Sequence, residues 1–172
     1  MRTIFTTIAI AIASMAFVSA ELKPVDTAEA VTFTIKNFGI NTRGEIKGLK
    51  GTIKWDAANP AASVFNVTAD AKTVNTGIEM RDNHLRKEEY LNVEKYPLIS
   101  FASTSVTGNT IKGNLTIKGV TKEISFPFTV KPSNGGYLFE GSFDINRRDF
   151  GVGGGSVSLS NNLSVSLKVQ AK

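Results

Sequence analysis

The sequence predicts an all-β domain of about eight antiparallel strands with one helical insertion. Apolar and polar residues alternate with a period of two along most of the chain, as they do in half-buried strands. Short turn signals, such as Asn59–Pro60 and Ser133–Gly136, separate these runs. Residues 75–101 break the alternation with a dense run of charged side chains. Such a chain forms either a closed barrel or a two-sheet sandwich.

Residues 1–20 have the features of a secretory signal peptide. Arg2 gives a positive start, residues 4–18 form an apolar run, and small residues precede Glu21. We therefore expect residues 21–172 to form one exported domain, located in the periplasm or outside the cell. The chain contains no cysteine, which excludes disulfides, a lipid-modified cysteine and thiolate metal sites. No further apolar run approaches the roughly 20 residues of a membrane-spanning helix, so we expect no stable membrane insertion.

The charge of the chain argues against a nucleic-acid partner. Its 20 basic and 15 acidic residues leave a net charge of +5, and the basic side chains are scattered instead of clustered. Scattered charge of this size favours solubility, whereas nucleic-acid binding requires a basic patch with aromatic residues among it. The sequence leaves a monomer and a homodimer both open.

Three strands are predicted before the helical insertion, and the first of them bends at Asn37. Their side chains alternate between an inward apolar face and an outward polar face. The predicted inward rows are Val31, Phe33 and Ile35; Leu49, Gly51, Ile53 and Trp55; and Phe65, Val67, Ala69 and Ala71.

The helix of the insertion is predicted to start at a capping box, in which Thr76 and Glu79 each bond the other's backbone N–H. Asp82 and Arg86 are spaced for an ion pair along the helix, and Pro97 prevents the helix from continuing. The many charged residues leave no wide apolar stripe, so we expect the helix to cross the edge or mouth of the β structure. The residues expected beneath it are Leu85, Tyr90 and Leu91.

The rest of the chain alternates again, in short strands joined by turns. Pro127 cannot donate a ladder hydrogen bond, so we expect a bulge or an edge at this position. A glycine-rich loop over residues 151–155 precedes the last strand. The predicted inward rows are Ile99, Phe101 and Ser103; Ile111, Gly113, Leu115 and Ile117; Ile124, Phe126, Phe128 and Val130; Tyr137, Phe139, Gly141, Phe143 and Ile145; and Leu163, Val165, Leu167, Val169 and Ala171.

Small residues stand among the inward aromatic residues, at Gly51, Ala69, Gly113 and Gly141. Small inward residues beside large ones indicate unfilled space, which an eight-stranded barrel can offer to one small ligand. This pattern favours the barrel with an apolar, elongated cavity. The alternative, a β-sandwich adhesion or interaction module with a filled core, stays open at this point.

Neither a metal site, a cofactor nor a catalytic site is expected. His84 is the only histidine, and a zinc or copper site built on it would need carboxylates for all other ligands. The G-x-S-x-G motif of many hydrolases is absent. An enzyme that acts on a lipid with His84 as its base is the weaker rival. We expect Arg147 to pair with a buried carboxylate, such as Asp82 or Asp149.

Three ordered motifs extend over much of the chain. Residues 76–104 contain T-G, R-D-N-H-L, Y-L-N-V-E-K-Y-P and I-S-F-A-S-T; residues 113–122 read G-N-L-T-I-K-G-V-T-K; and residues 146–151 read N-R-R-D-F-G. Together they resemble the patterns of the YceI-like family, a lipocalin-like group linked to polyisoprenoid binding. Residues 90–92, Tyr-Leu-Asn, depart from the usual Phe-Phe-Asp.

The resemblance implies an eight-stranded antiparallel barrel that holds one long apolar molecule, such as an isoprenoid quinone, a polyprenyl phosphate or a fatty amide, and it implies no catalysis. We therefore expect an exported protein that transports, stores or sequesters a long-chain amphiphilic lipid. The residues expected around its tail are Phe33, Ile35, Trp55, Phe65, Val67, Leu85, Phe101, Leu115, Phe126, Phe139, Phe143 and Leu167. The residues expected near its head group are Asn37, Arg43, His84, Arg86 and Arg147.

Overall fold

The computed structural model describes residues 20–172, so the predicted signal peptide lies outside the described residues except for Ala20. The described residues form ten strands and one α-helix. The strands are β1 (Ala20–Leu22), β2 (Val31–Asn37), β3 (Ile40–Glu45), β4 (Lys50–Trp55), β5 (Val64–Asp70), β6 (Leu98–Thr107), β7 (Thr110–Ile117), β8 (Val120–Ser133), β9 (Gly136–Asn146) and β10 (Leu159–Ala171). The helix α1 spans Glu79–Arg86, and short 3-10 turns cover Pro60–Ala62, Ala71–Thr73 and Arg147–Phe150.

The strands form one ten-stranded sheet in the order β1-β4-β5-β6-β7-β8-β9-β10-β2-β3. The sheet curls until the segment after β1 meets the end of β10, where the Lys23 N–H donates to the Lys172 carbonyl at 2.9 Å. At the other edge, Glu45 of β3 forms an antiparallel bridge with Asn75, just before α1. The predicted antiparallel barrel with one helical insertion is confirmed as a fold class. The two strands beyond the predicted eight are β1 and β3.

Alternation along the strands produces the apolar interior of the sheet. In β7, the buried residues are Ile111, Gly113, Leu115 and Ile117, while Thr110, Lys112 and Asn114 are exposed. Successive side chains of a strand point to opposite faces, so one face of β7 is apolar and the other is polar. The interior rows are therefore fixed by the sequence pattern itself.

Strand β8 changes partners at Pro127. Residues 120–127 pair with β7, whereas residues 128–133 pair with β9. Proline has no N–H to donate to a ladder, and it is the Phe128 N–H that donates to the Asn109 carbonyl at 2.8 Å. Strand β8 therefore belongs to both halves of the sheet, and the irregularity expected at Pro127 is the point where the two halves separate.

The start of α1 differs from the prediction. No side chain caps the helix, so the predicted capping box between Thr76 and Glu79 does not form. Thr76 is used elsewhere: both its N–H, at 2.9 Å, and its hydroxyl donate to the buried Asp82 carboxylate. A buried carboxylate without hydrogen-bond donors destabilises a fold by much more free energy than a helix start without a cap. Thr76 therefore bonds to Asp82 instead of capping the helix.

The predicted ion pair between Asp82 and Arg86 is also wrong. The Arg86 guanidinium donates to the backbone carbonyls of Lys72 at 2.7 Å and Val74 at 2.9 Å. These bonds fasten the end of α1 to the chain that precedes the helix. The helix ends at Arg86, well before Pro97, because the next residue adopts an extended backbone. Within residues 20–172, no helix has the length and apolarity that crossing a bilayer requires.

Candidate binding cavity

The curled sheet encloses a cavity of about 280 Å³. Every strand from β2 to β10 contributes at least one side chain to its wall, and α1 contributes Arg81 and Leu85. The atoms that face the cavity are almost all apolar. At about 10–15 Å³ for each water-sized group, this space has room for roughly twenty to thirty such groups. The cavity can therefore hold an apolar chain of considerable length.

Aromatic rings fill the barrel interior away from α1. The Trp55 ring stands edge-on to Phe139 and Phe128, with ring centroids 5.7 and 6.1 Å away, and a tilted Phe65 lies 6.5 Å away. Phe65, Phe128 and Phe139 line the cavity, whereas Trp55 packs behind them. The buried Trp55 indole N–H has no hydrogen-bond partner among the described residues. This cluster closes one end of the cavity.

The inward glycines do not leave the empty space that the sequence indicated. A Cβ on Gly113 would lie 2.6 Å from the Phe101 ring, and one on Gly141 would lie 3.3 Å from the Phe126 ring. At Gly51, the backbone of β5 occupies the corresponding position. The glycines at positions 113 and 141 therefore let the rings of Phe101 and Phe126 lie flat over the neighbouring strands. The centre of the barrel stays open because these rings lie against its wall.

Arg147 is a buried cation beside the cavity, with only 4% of its surface exposed. Its N–H groups donate to five neutral acceptors: the carbonyls of Ser160 (2.9 Å), Val152 (2.8 Å), Gly154 (3.1 Å) and Leu159 (3.4 Å) and the side-chain oxygen of Asn161 (3.0 Å). The predicted pairing with Asp82 or Asp149 is therefore wrong. Burial, and secondarily the nearby Arg148 charge, lower the pKa of Arg147, but an arginine stays protonated. Arg147 thus fastens the glycine-rich loop to the start of β10.

Comparison with known proteins agrees with the motifs. The model of the YceI-like domain matches residues 22–171. This chain belongs to the YceI-like family. A UPF0312 protein of Yersinia enterocolitica is 36% identical over 133 residues, which cover 71% of this chain and 69% of that protein.

Two solved structures share the YceI-like fold of this chain. BcnA of Burkholderia cenocepacia has a TM-score of 0.75 at 24% identity, covering 81% of this chain and 93% of its own. A polyisoprenoid binding domain from Saccharophagus degradans, implicated in plant cell wall breakdown, has a TM-score of 0.67 at 15% identity, covering 90% of this chain and 98% of its own. At these identities the likeness shows the fold alone.

Most of the residues predicted to bind a ligand line the cavity of this YceI-like barrel. They are Phe33, Ile35, Asn37, Phe65, Val67, Leu85, Phe101, Leu115, Phe126, Phe139, Phe143, Arg147 and Leu167. Contact between these residues and a ligand stays a prediction. Tyr90 and Leu91, which were expected beneath the helix, line the cavity as well.

Four residues of the predicted set lie outside the lining: Trp55, Arg43, His84 and Arg86. Arg43 points outward because its neighbour Thr42 faces the cavity, and it pairs with Glu29 at 3.0 Å. His84 is on the outer surface of α1, 3.7 Å from the Glu89 carboxylate. It is therefore not placed to act as a base on a molecule inside the barrel.

Some residues that line the cavity are absent from the predicted ligand-binding set, although the alternation of apolar and polar residues could have identified them. Ile99, Ile111 and Leu163 belong to inward rows that the alternation predicted, and they line the cavity. Phe150, which we expected to face inward with the other aromatic residues, lines the cavity from a turn. By contrast, Val152 reaches the cavity from the glycine-rich loop. Loops have no periodicity, so no sequence signal could have placed this side chain.

Proposed function

We propose that this protein is an exported binding protein that holds one long-chain amphiphilic lipid, with the tail in the cavity, for transport, storage or sequestration. The observation that carries the proposal is the almost wholly apolar wall of the cavity. A polar molecule would lose its hydration there without gaining partners. An alkyl or isoprenoid tail gains about 0.8 kcal/mol for each buried CH₂, so about sixteen carbons gain on the order of 10 kcal/mol before entropic costs.

Both the apolar cavity and the proteins of similar fold support a proposal for the kind of lipid tail. One neighbour is a polyisoprenoid binding domain, which supports an isoprenoid among the candidate tails. Binding without catalysis is proposed because a tail in this cavity meets almost no polar atoms that could act as acid, base or nucleophile. The exposed position of His84 supports the same conclusion.

Export is part of the proposal and rests on the signal-peptide features of residues 1–20. The test is to fractionate the cells and to sequence the N-terminus of the protein in the exported fraction. We expect the mature chain to start at Glu21. A protein that stays in the cytoplasm with residues 1–20 intact would contradict this part of the proposal.

Lipid binding is tested by purifying the protein without detergent, extracting it with organic solvent and analysing the extract by mass spectrometry. Two variants on β5 supply a matched pair, because Val67 lines the cavity and Val64 is exposed. We expect lipid in the wild type and in Val64→Trp, and much less lipid in Val67→Trp. Circular dichroism checks that both variants are folded. Absence of lipid from the wild type, together with no uptake of added lipid, would contradict the proposal.

A further inference from the structure

Exposed apolar side chains lie beside the cavity at the end opposite the Trp55 cluster. The segments 37–42, 76–81 and 152–159 each begin and end at residues that line the cavity. Between these lining residues, large apolar side chains are exposed to solvent: Phe38, Ile40, Ile78, Met80 and Val157. The turns at the Trp55 end expose no large apolar side chain; they cover residues 56–59, 107–110 and 133–136. The exposed apolar surface is therefore concentrated at one end of the barrel.

Phe38, Ile40 and Val157 form what we call the apolar tip. The Phe38 N–H donates to the Ser158 carbonyl at 2.8 Å, which joins the β2–β3 turn to the loop before β10. Ile40 pairs with Asn37 across the same turn, and Val157 directly precedes Ser158. The Phe38 side chain is 78% exposed. An exposed aromatic ring at a turn contributes little to the packing of the fold, so the tip calls for another explanation.

Phe38 also occupies a backbone position that is unfavourable for it. Three two-residue turns have both central residues at positive φ: Phe38–Gly39, Lys118–Gly119 and Asn134–Gly135. Such turns favour asparagine or glycine at the first position, and a bulky residue is rarely found there. The other two turns carry polar residues at this position, so Phe38 is the exception among them. Its ring is held in strained backbone and in water at the same time, which is typical of a side chain retained for binding a partner.

Cations accompany the apolar tip. The Lys36 ammonium is exposed and has no ion-pair or hydrogen-bond partner within residues 20–172. Arg148 is exposed as well, and its Nη1 atom lies 3.6 Å from the position of a Cβ on Gly155, in the loop that leads to Val157. Residues 36–44 and 150–163 contain no acidic side chain.

The charge around the tip is positive but not strongly so, because Asp149 and Glu89 border the glycine-rich loop. The net charge of the chain is +5. Apolar side chains with cations beside them match the surface of an anionic bilayer, where the head groups attract the cations and the acyl region accepts the apolar groups. The apolar contacts should supply most of the affinity and the cations the preference for anionic lipid.

We propose that the apolar tip docks the protein reversibly on an anionic lipid surface, where the cavity exchanges its tail with the bilayer. The inference rests on the proposed function and adds the place at which the lipid enters and leaves. Three side chains give peripheral attachment and no spanning segment. A second copy of this chain fits the tip less well, because a two-fold interface would bring the Lys36 and Arg148 cations of both copies together.

The test measures binding of the protein to sedimented vesicles, made either of phosphatidylcholine alone or of an equal mixture with phosphatidylglycerol. Phe38→Asn should weaken binding to both about tenfold, and Lys36→Gln should weaken binding about fivefold on the mixed vesicles only. The control is Val64→Asn, which removes an exposed apolar side chain beside the Trp55 cluster and should change neither. Phe38→Asn should also need more urea to unfold than the wild type, because asparagine suits the turn. A less stable Phe38→Asn protein would overturn the inference, since Phe38 would then be held by packing.

Tryptophan probes report which end of the barrel touches the vesicles. In a Trp55→Phe background, brominated lipid should quench the fluorescence of Phe38→Trp and leave Val64→Trp unquenched. Equal quenching of the two probes would overturn the inference. So would a dimer of the wild type that Phe38→Asn dissociates while vesicle binding stays the same.

A separate assay keeps the cavity apart from the tip. Displacement of an apolar fluorescent dye by the branched alkane phytane reports binding inside the barrel, and Phe38→Asn should leave it unchanged because Phe38 lies outside the lining. The same variant should slow the uptake of a fluorescent long-chain lipid from mixed vesicles. If phytane binds but the wild type does not bind vesicles, the inference is overturned and the proposed function stands. If phytane does not bind, the proposed function itself fails.

Discussion

Replacing Gly44 by alanine should push a phenylalanine ring into the cavity. Gly44 on β3 lies directly opposite Phe33 on β2. A Cβ at Gly44 would lie 2.3 Å from the tip of the Phe33 ring, whereas ordinary contact begins at 3.4 Å. The ring tip must therefore retreat by 3.4 − 2.3, or about 1.1 Å. Because Phe33 separates β3 from the cavity, the free space for this movement is the cavity itself.

The effect of Gly44→Ala should appear in binding more than in stability. Overpacking a filled core costs about 1–3 kcal/mol, but here the ring moves into open space, so we expect a loss below about 1 kcal/mol. The displaced ring takes the place of one or two CH₂ groups of the tail, each worth about 0.8 kcal/mol. This corresponds to a loss of affinity of about four- to fifteenfold.

Urea unfolding and dye displacement by phytane measure the two effects of Gly44→Ala separately. Gly154→Ala is the control, since a Cβ there meets only a Glu89 oxygen at 3.9 Å. Adding Phe33→Leu to Gly44→Ala should restore part of the affinity, because the shorter side chain clears the cavity. A variant that loses more than about 2 kcal/mol of stability while binding phytane normally would refute the reasoning, since the ring would then have no open space beside it.

Three further changes test the packing around the cavity. Arg147→Lys leaves at least two of the five acceptors without a donor, so urea unfolding should show a loss of about 2–4 kcal/mol. Trp55→Phe removes an unpaired buried N–H together with some packing, so stability should change by less than about 1 kcal/mol, compared with about 3–5 for truncation to alanine. The hydrogen bond from Lys47 is the main cause that lowers the pKa of Glu45 below its usual 4.5. The Glu45 carboxylate also accepts from the Asn75 side-chain amide at 3.2 Å, so the bridge between the two residues should be stable above about pH 4.5 and loosen as the pH falls through that lowered value, seen as lower amide protection factors at both residues.

Each of these three expectations has a contradicting result. Unchanged stability in Arg147→Lys would mean that the five hydrogen bonds do not hold the loop. A loss of several kcal/mol in Trp55→Phe would mean that the indole N–H has a partner. For Glu45, the matched variant is Glu45→Gln, whose amide protection factors at the bridge should not change with acid; an equal decrease in both proteins would contradict the assigned cause.

Strand periodicity carried most of what the sequence could predict. Rows such as Ile111 to Ile117 alternate strictly, so the pattern determines which side chains face inward. The same rule placed Phe101 and Phe126 on the cavity wall. It could not show that these rings lie against glycines of neighbouring strands, because that contact depends on the register between strands, which one sequence does not reveal.

Polar side chains were predicted less well, since their partners come from several parts of the chain. Thr76 has the spacing of a helix cap, but the buried Asp82 takes its hydroxyl instead. Arg147 was expected to pair with a carboxylate, yet its five acceptors are neutral oxygens of the glycine-rich loop and of the start of β10. Buried polar groups take whichever donors and acceptors the fold brings near, and local spacing rules do not contain that information.

The binding of a lipid tail inside the barrel is tested most directly by a crystal structure of the protein purified without organic solvent or detergent. We expect one continuous rod of electron density inside the barrel, extending from the Phe65 and Phe139 rings toward Tyr90. A cavity that holds only ordered water molecules, or one that is closed by the protein's own side chains, would contradict it.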